Sequence, residues 1–299
     1  MASVWRLNIK TAAKAGIDPR KFCLERGILG VGWQVEQTGD VTWTSYIAEA
    51  KPRYKSSGRS FTVAMNALKH RMAIGDLCWT RDHDATYYLG IVTSDWRYES
   101  GQAHRDADVA NVRSCLWLRA GTVDVVPGRV VNSYISGSTV QKVSGNDVRA
   151  YSEYLANKLS GELHYCPSSP AKSFLGLLSS DDCEDLVAMY LQKEHGYLVI
   201  PSTCKADTAA YEYVLRHSIT GVKAVAQVKH GAVDLDKATY SDIDANVFLL
   251  TTRGKYVGVD APNVSCISPE SATEFAVKNY NLMPARIKSW IDFDREVRT

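Results

Sequence analysis

The chain has no apolar run that could span a bilayer. Its longest such stretches are a few residues, as at Val247-Phe248-Leu249-Leu250, against roughly 20 for a transmembrane helix. The first ten residues carry Trp5 and Arg6 but no apolar core segment, so no signal peptide is expected. There is no C-x-x-C pair. The seven cysteines (23, 78, 115, 166, 183, 204, 266) are scattered and odd in number, which points to reduced thiols in a cytoplasm and against a disulfide framework or structural zinc. No P-loop and no G-x-G-x-x-G occurs, which excludes an NTP-driven motor and a dinucleotide site. The seven histidines lack H-E-x-x-H or similar ligand spacing, and no internal repeat is visible.

What is present suits globular structure. The 299 residues are 45% hydrophobic and 23% charged, enough for about two domains of ordinary size. The net charge of +2 is unevenly spread: residues 1–170 hold 21 Lys/Arg against 16 Asp/Glu, and residues 171–299 hold 14 against 17. A basic front half beside an acidic back half fits an anion-binding module joined to one that collects carboxylates.

The front half reads as short strands at residues 30–35, 76–80, 87–92 and 112–118, with a hairpin over 76–92 and a short helix over 62–72. That pattern predicts a small, partly closed β-barrel. A helix over 145–160 ends at Gly161, and Cys166-Pro167-Ser168-Ser169-Pro170 reads as a linker. The back half opens with a helix from Ser180 to about His195. Strands follow at 197–201, 211–215, 224–229, 246–251 and 255–259, with helices starting near Pro269 and Pro284. The expected fold class is therefore α/β (α+β overall), with a mixed central sheet in the back half. The expected domains are residues 1–140, a helix and linker over 141–170, and residues 171–299.

Glu212 lies on an expected strand between Tyr211 and Tyr213, opposite in direction to both. Gln227 and Lys229 sit two apart on the next strand and so share a face. A hairpin over 217–223 would bring the acid, the amide and the lysine together, with Glu184 on the preceding helix. Such a cluster is costly unless it binds something, and a divalent cation on the Glu212 carboxylate and Gln227 carbonyl would offset the cost. Phosphodiester hydrolysis uses this combination: a hard cation lowers the pKa of a bound water, and a lysine positions the water or stabilises the oxyanion. Plainer roles exist for each residue. Asp181 and Glu184 form a D-x-x-E capping box, Glu212 could sit on an exposed edge, and Lys229 could end a strand in solvent.

The series Glu184, Gly196-Tyr197, Glu212, Gln227-Val228-Lys229 resembles the PD-(D/E)xK nuclease superfamily, nearest its Mrr-like branch, over roughly residues 171–260. The resemblance implies catalytic roles for Glu184, Glu212, Gln227 and Lys229, with Mg²⁺ (or Mn²⁺) as cofactor. The chain departs from the family in having Glu212 where an Asp in a G-I-D turn is usual. Asp207 is the alternative metal ligand.

Six of the seven tryptophans fall within residues 1–140. Trp33, in Gly30-Val31-Gly32-Trp33, and Trp79, in Gly75-Asp76-Leu77-Cys78-Trp79, adjoin glycines that permit close approach of a flat ligand. These strings resemble PUA-like barrels of the EVE and YTH types, which read modified or flipped bases. The resemblance implies a base-binding cage from Trp33, Trp79 and Trp96, although each tryptophan taken singly suits a barrel core. Lys51, Arg53, Lys55 and Arg59 form a basic stretch, expected as an exposed loop contacting DNA phosphates.

Together the two resemblances imply a Mg²⁺-dependent DNA endonuclease of modification-dependent restriction or anti-phage defence. It would act on double-stranded DNA bearing modified bases, as a homodimer, away from membranes, in the cytoplasm of a bacterial or archaeal cell. Two alternatives stand beside it: a defence nuclease whose front domain senses a small nucleotide or a protein trigger, and a non-catalytic nucleic-acid-binding protein.

Overall fold

A computed structural model describes residues 2–9, 11–135, 137–168, 173–204 and 211–298. The chain divides into two units, Met1–Pro170 and Ala171–Thr299.

The strands of the first unit are β1 (Val4–Leu7), β2 (Ile28–Val31), β3 (Leu77–Arg81), β4 (Tyr87–Val92), β5 (Arg97–Tyr98), β6 (Asn111–Gly121) and β7 (Val140–Val143). Its helices are α1 (Pro19–Glu25), α2 (Trp43–Arg53), α3 (Gly58–Asn66), α4 (Gln102–Asp106), α5 (Gly128–Ser133) and α6 (Asn146–Ser160). The sheet runs β2-β6-β4-β3-β1-β7, with β5 also on β6, and curls into a half-barrel. The length of β6 makes the curl: its first residues pair with β2 and β5, and Cys115–Gly121 pair with β4. All pairings are antiparallel except β1 on β3.

The hairpin expected over 76–92 forms, closed by Asp82 N–H to Thr86 C=O at 3.0 Å and Thr86 N–H to Asp82 Oδ1 at 2.9 Å. The strand expected over 30–35 ends instead at Val31. Trp33 adopts a left-handed backbone (φ 60°), and this turns the chain out of the sheet. Helix α6 buries Val148, Tyr151 and Leu155 and closes on Gly161 (φ 73°). It belongs to the first unit, and residues 169–170 of the expected linker lie outside the described residues.

Two arginines are buried, which the sequence does not announce. Arg6 donates to Ser133 C=O at 2.6 Å and to Gln141 Oε1 at 2.8 Å. Arg113 donates to Ser94 C=O at 2.7 Å and Leu68 C=O at 3.0 Å, so each guanidinium is clothed in carbonyl oxygens. Asp76 has a similar structural part. Its carboxylate accepts from Ser3 N–H at 2.8 Å, Trp5 Nε1 at 2.8 Å and Ala73 N–H at 3.0 Å, which ties β1 to β3.

The second unit comprises α7 (Ser180–His195), β8 (Tyr197–Val199), β9 (Tyr213–His217), β10 (Lys223–Lys229), β11 (Leu235–Asp236), β12 (Asn246–Thr251), β13 (Tyr256–Val257), β14 (Val264–Cys266), α8 (Pro269–Lys278) and α9 (Ala285–Arg298). Its sheet, β14-β12-β10-β9-β8, is mixed: β8, β9 and β10 run antiparallel, and β10, β12 and β14 parallel. The central strand β10 is buried along Ala224–Val228. The segment expected as a strand at 255–259 contributes only β13, which pairs with β11 outside this sheet.

Among the described residues no helix is long and apolar enough to cross a membrane. All seven cysteines are free, and Cys23, Cys78, Cys115 and Cys183 are buried.

Candidate functional site

Strand β10 sets the site because its register on β9 places Ala226 opposite Tyr213. One step further, the Glu212 N–H donates to Ala226 C=O at 2.8 Å, so Glu212 enters alongside Gln227 although it precedes β9. The Gln227 side chain, 2% exposed, donates from Nε2 to Glu212 Oε1 at 2.7 Å. Lys229, on the same face of β10, donates from Nζ to that same oxygen at 3.2 Å. Both donors use Oε1. Neither Glu212 Oε2 nor the Gln227 carbonyl oxygen takes a hydrogen bond among the described residues.

Helix α7 brings Glu184 within electrostatic reach of Glu212 and Lys229. The Tyr213 hydroxyl donates to the Glu184 backbone carbonyl at 3.1 Å, fastening the helix over β9. Burial raises the Glu184 carboxyl from its ordinary 4.5 to about 7, with the Glu212 charge adding to the effect and Lys229 opposing it. The capping role expected for Glu184 is not its own: the box is formed by Ser179 and Asp182, each side chain bonding the other's backbone. Glu184 is thus released from the helix terminus and faces the acid on the sheet.

The cluster offers two oxygens without partners among the described residues, beside a lysine and a second carboxyl held near neutrality, a donor set that suits a hard divalent cation. Two protein oxygens do not complete such a shell. Among the described residues no group of three or more His, Cys, Asp or Glu side chains is gathered for a metal. Asp207, the alternative ligand, lies outside the described residues.

The tryptophans separate. Trp79 on β3 is 0% exposed and donates from Nε1 to Ser152 Oγ of α6 at 3.0 Å, the setting of a core side chain with no open face. It is not brought to Trp33, which follows β2, two strands away across β6 and β4. Trp33 and Trp96 instead adjoin one aromatic group. Trp33 meets Phe61 edge-on at 5.8 Å, and Trp96 meets Trp43 edge-on at 5.0 Å and Tyr46 at 5.6 Å. Asn111 organises them: it accepts from Trp96 Nε1 at 3.2 Å and donates to Gly32 C=O at 2.6 Å and to the Tyr46 hydroxyl at 3.0 Å. The Tyr46 hydroxyl then donates to Trp33 C=O at 2.9 Å. A Cβ at Gly32 would lie 2.5 Å from Asp108 Oδ2, so any larger residue here would displace the Asp108 carboxylate. Sequence reasoning passed over Trp43, Tyr46 and Asn111. The signal for Asn111 was a lone amide opening an apolar strand.

The basic stretch is helical rather than a loop. Thr42 caps α2, and the buried faces of Tyr46 and Ala50 carry the helix through Lys51 to Arg53, Pro52 included. A 3-10 turn at Lys55–Ser57 then leads into α3. Arg53 pairs with Glu36 at 2.6 Å and Glu49 at 3.8 Å, which neutralises it. Lys51, Lys55 and Arg59 are exposed.

Residues 5–144, within the first unit, match the model of a family described as a domain of unknown function, DUF8426. No curated protein and no solved structure matches the chain.

Proposed function

We propose that the protein is a Mg²⁺- or Mn²⁺-dependent DNA endonuclease of the PD-(D/E)xK, Mrr-like kind, whose PUA-like front unit reads a modified base in double-stranded DNA. The observation that carries the reading is the double donation from Gln227 and Lys229 onto a single oxygen of Glu212. That arrangement leaves the second carboxylate oxygen and the Gln227 carbonyl oxygen without a hydrogen bond among the described residues, as oxygens that take up a cation must be.

Bound there, the cation would neutralise charge on the scissile phosphate and acidify a water. Lys229 then has a defined task. Its ammonium, held by Glu212, can shift to the phosphate oxygen that gains charge in the transition state. Glu184, with its proton gained or lost near pH 7, suits an acid–base role or a further ligand position. In the first unit, half-buried Trp33 is the proposed base-stacking residue, supported by Asn111 and by the buried Trp96 (8% exposed) bonded to it, and Lys51, Lys55 and Arg59 are the proposed phosphate contacts. Cutting both strands calls for two such sites, hence a homodimer.

The test is a cleavage screen on methylated, hydroxymethylated, glucosylated and plain duplexes with Mg²⁺ or EDTA. The proposal expects cutting of a modified duplex with Mg²⁺ alone, lost in Glu212→Ala. Cutting that ignores modification would point to a triggered defence nuclease. Binding without cutting on any substrate would make the chain a non-catalytic nucleic-acid-binding protein.

A further inference from the structure

A groove of about 640 Å³ opens in the first unit between α3, the turn that follows it at Ala67–Arg71, and β7. Its volume falls in the roughly 300–1,000 Å³ range of small-ligand sites. Arg59, Arg71 and Lys142 line it, and no acidic side chain does among the described residues. Two of these cations converge on one ring: Arg71 lies 5.3 Å and Lys142 5.9 Å from the centre of the Trp5 indole. The indole is fixed, 1% exposed and bonded through Nε1 to the buried Asp76 at 2.8 Å. Both cations thus meet one fixed ring, and neither forms an ion pair among the described residues, an arrangement an anion in the groove would relieve. The α3 wall is apolar between Arg59 and Arg71, with Val63 37% exposed beside Ala67. The wall that carries Lys142 is rigid because buried Arg6 donates to Ser138 Oγ at 2.9 Å and Gln141 Oε1 at 2.8 Å.

We infer that this groove binds a phosphate ester of nucleotide size, its phosphate on Arg71, Lys142 and Arg59 and its apolar part on Val63 and Ala67. The site is separate from the tryptophan group around Asn111 and does not depend on nuclease activity. A phosphate can come from a free nucleotide or from a nucleic-acid strand, and the two sources are told apart by the probe.

The experiment is calorimetric titration of the full chain at low salt with adenosine 5′-monophosphate, with the dinucleoside phosphodiester dTpdT, and with adenosine. The expected result is binding of at least one phosphorylated probe and none of adenosine. Affinity should fall on the order of 10- to 100-fold in Arg71→Gln, since a hydrogen bond to a charged group is lost. Lys142→Gln, also an exposed side chain, should behave alike, while Lys21→Gln, exposed on α1 and outside the groove, should match the wild type. Binding of the monophosphate alone identifies a free nucleotide, and binding of dTpdT alone a strand. The inference is overturned if neither phosphorylated probe binds, if adenosine binds as well as they do, or if both groove variants keep wild-type affinity at wild-type melting temperature.

Discussion

Gln227 donates its side-chain N–H to Glu212 across 2.7 Å, and Lys229 donates to the same carboxylate oxygen, so the charge of Glu212 is balanced from one side only. The relationship makes the identity of residue 227 diagnostic. In Gln227→Glu a second carboxylate would replace the amide donor, and a buried acid would repel the half-buried Glu212. The melting temperature should fall by several degrees in EDTA and recover with Mg²⁺, more than in the wild type. A variant equally unstable with and without Mg²⁺ would remove the cation from this site.

Glu184 predicts a pH dependence. Its folded carboxyl takes up its proton near 7, well above its ordinary 4.5. The folded state therefore binds that proton more tightly than the unfolded chain does. Stability from this group is full below about 4.5, declines as the pH rises and is gone above about 7. Glu184→Gln should melt higher than the wild type at pH 8 in EDTA and match it at pH 4.5. Mg²⁺ should stabilise the wild type more at pH 8 than at pH 6, because the proton and the cation compete. Thermal melts at the three pH values, with and without Mg²⁺, check both statements.

Lys229→Ala should lower single-turnover cleavage by a factor on the order of 10² or more while DNA affinity changes little. Lys229→Arg should recover part of the rate, since it restores a cation. Normal cutting by Lys229→Ala would show that this lysine serves only the ion pair with Glu212.

Substitution should separate Trp33 from Trp79. Trp79→Ala empties a site with no exposure, and should cost about 3–5 kcal/mol in urea unfolding. Trp33→Ala should leave the fold intact and lower affinity for modified duplex by roughly 5- to 150-fold, with little effect on plain duplex. Equal binding of both duplexes by wild type and Trp33→Ala would favour the trigger-sensing alternative.

Exposed Lys51 and Lys55 should contribute without regard to modification. Changing each to Gln should weaken binding to all duplexes alike and reduce the slope of log affinity against log salt by about one per charge. Arg53→Gln should change that slope less, because Glu36 and Glu49 already neutralise it.

Much of this was readable from local patterns. The Asp82-His83-Asp84 turn marked a hairpin, the 3.6-residue spacing of Val148, Tyr151, Leu155 and Leu159 marked α6, although Leu159 is exposed, and Gly161 and Gly196 ended helices in the left-handed region only glycine enters freely. The pairing of Gln227 and Lys229 on one face followed from strand alternation alone. The basic stretch misled because composition describes solvent preference, while burial of Tyr46 and Ala50 decided that it is helix.

Tertiary structure decided the rest, since it depends on which distant residues meet. Local spacing offered Glu184 a capping role, and only the real partner of Ser179, Asp182, freed it to face Glu212. Tryptophan count could not distinguish a buried Trp79 from a half-buried Trp33; that depended on Ser152, 73 residues along the chain, accepting the Trp79 N–H. The cationic groove was equally invisible, because Trp5, Arg71 and Lys142 are remote in sequence. They meet only because β1 pairs with β7 and Asp76 pins the Trp5 ring. A sequence carries the periodicity that makes elements, but a site forms where strand order and burial bring separated side chains to one place.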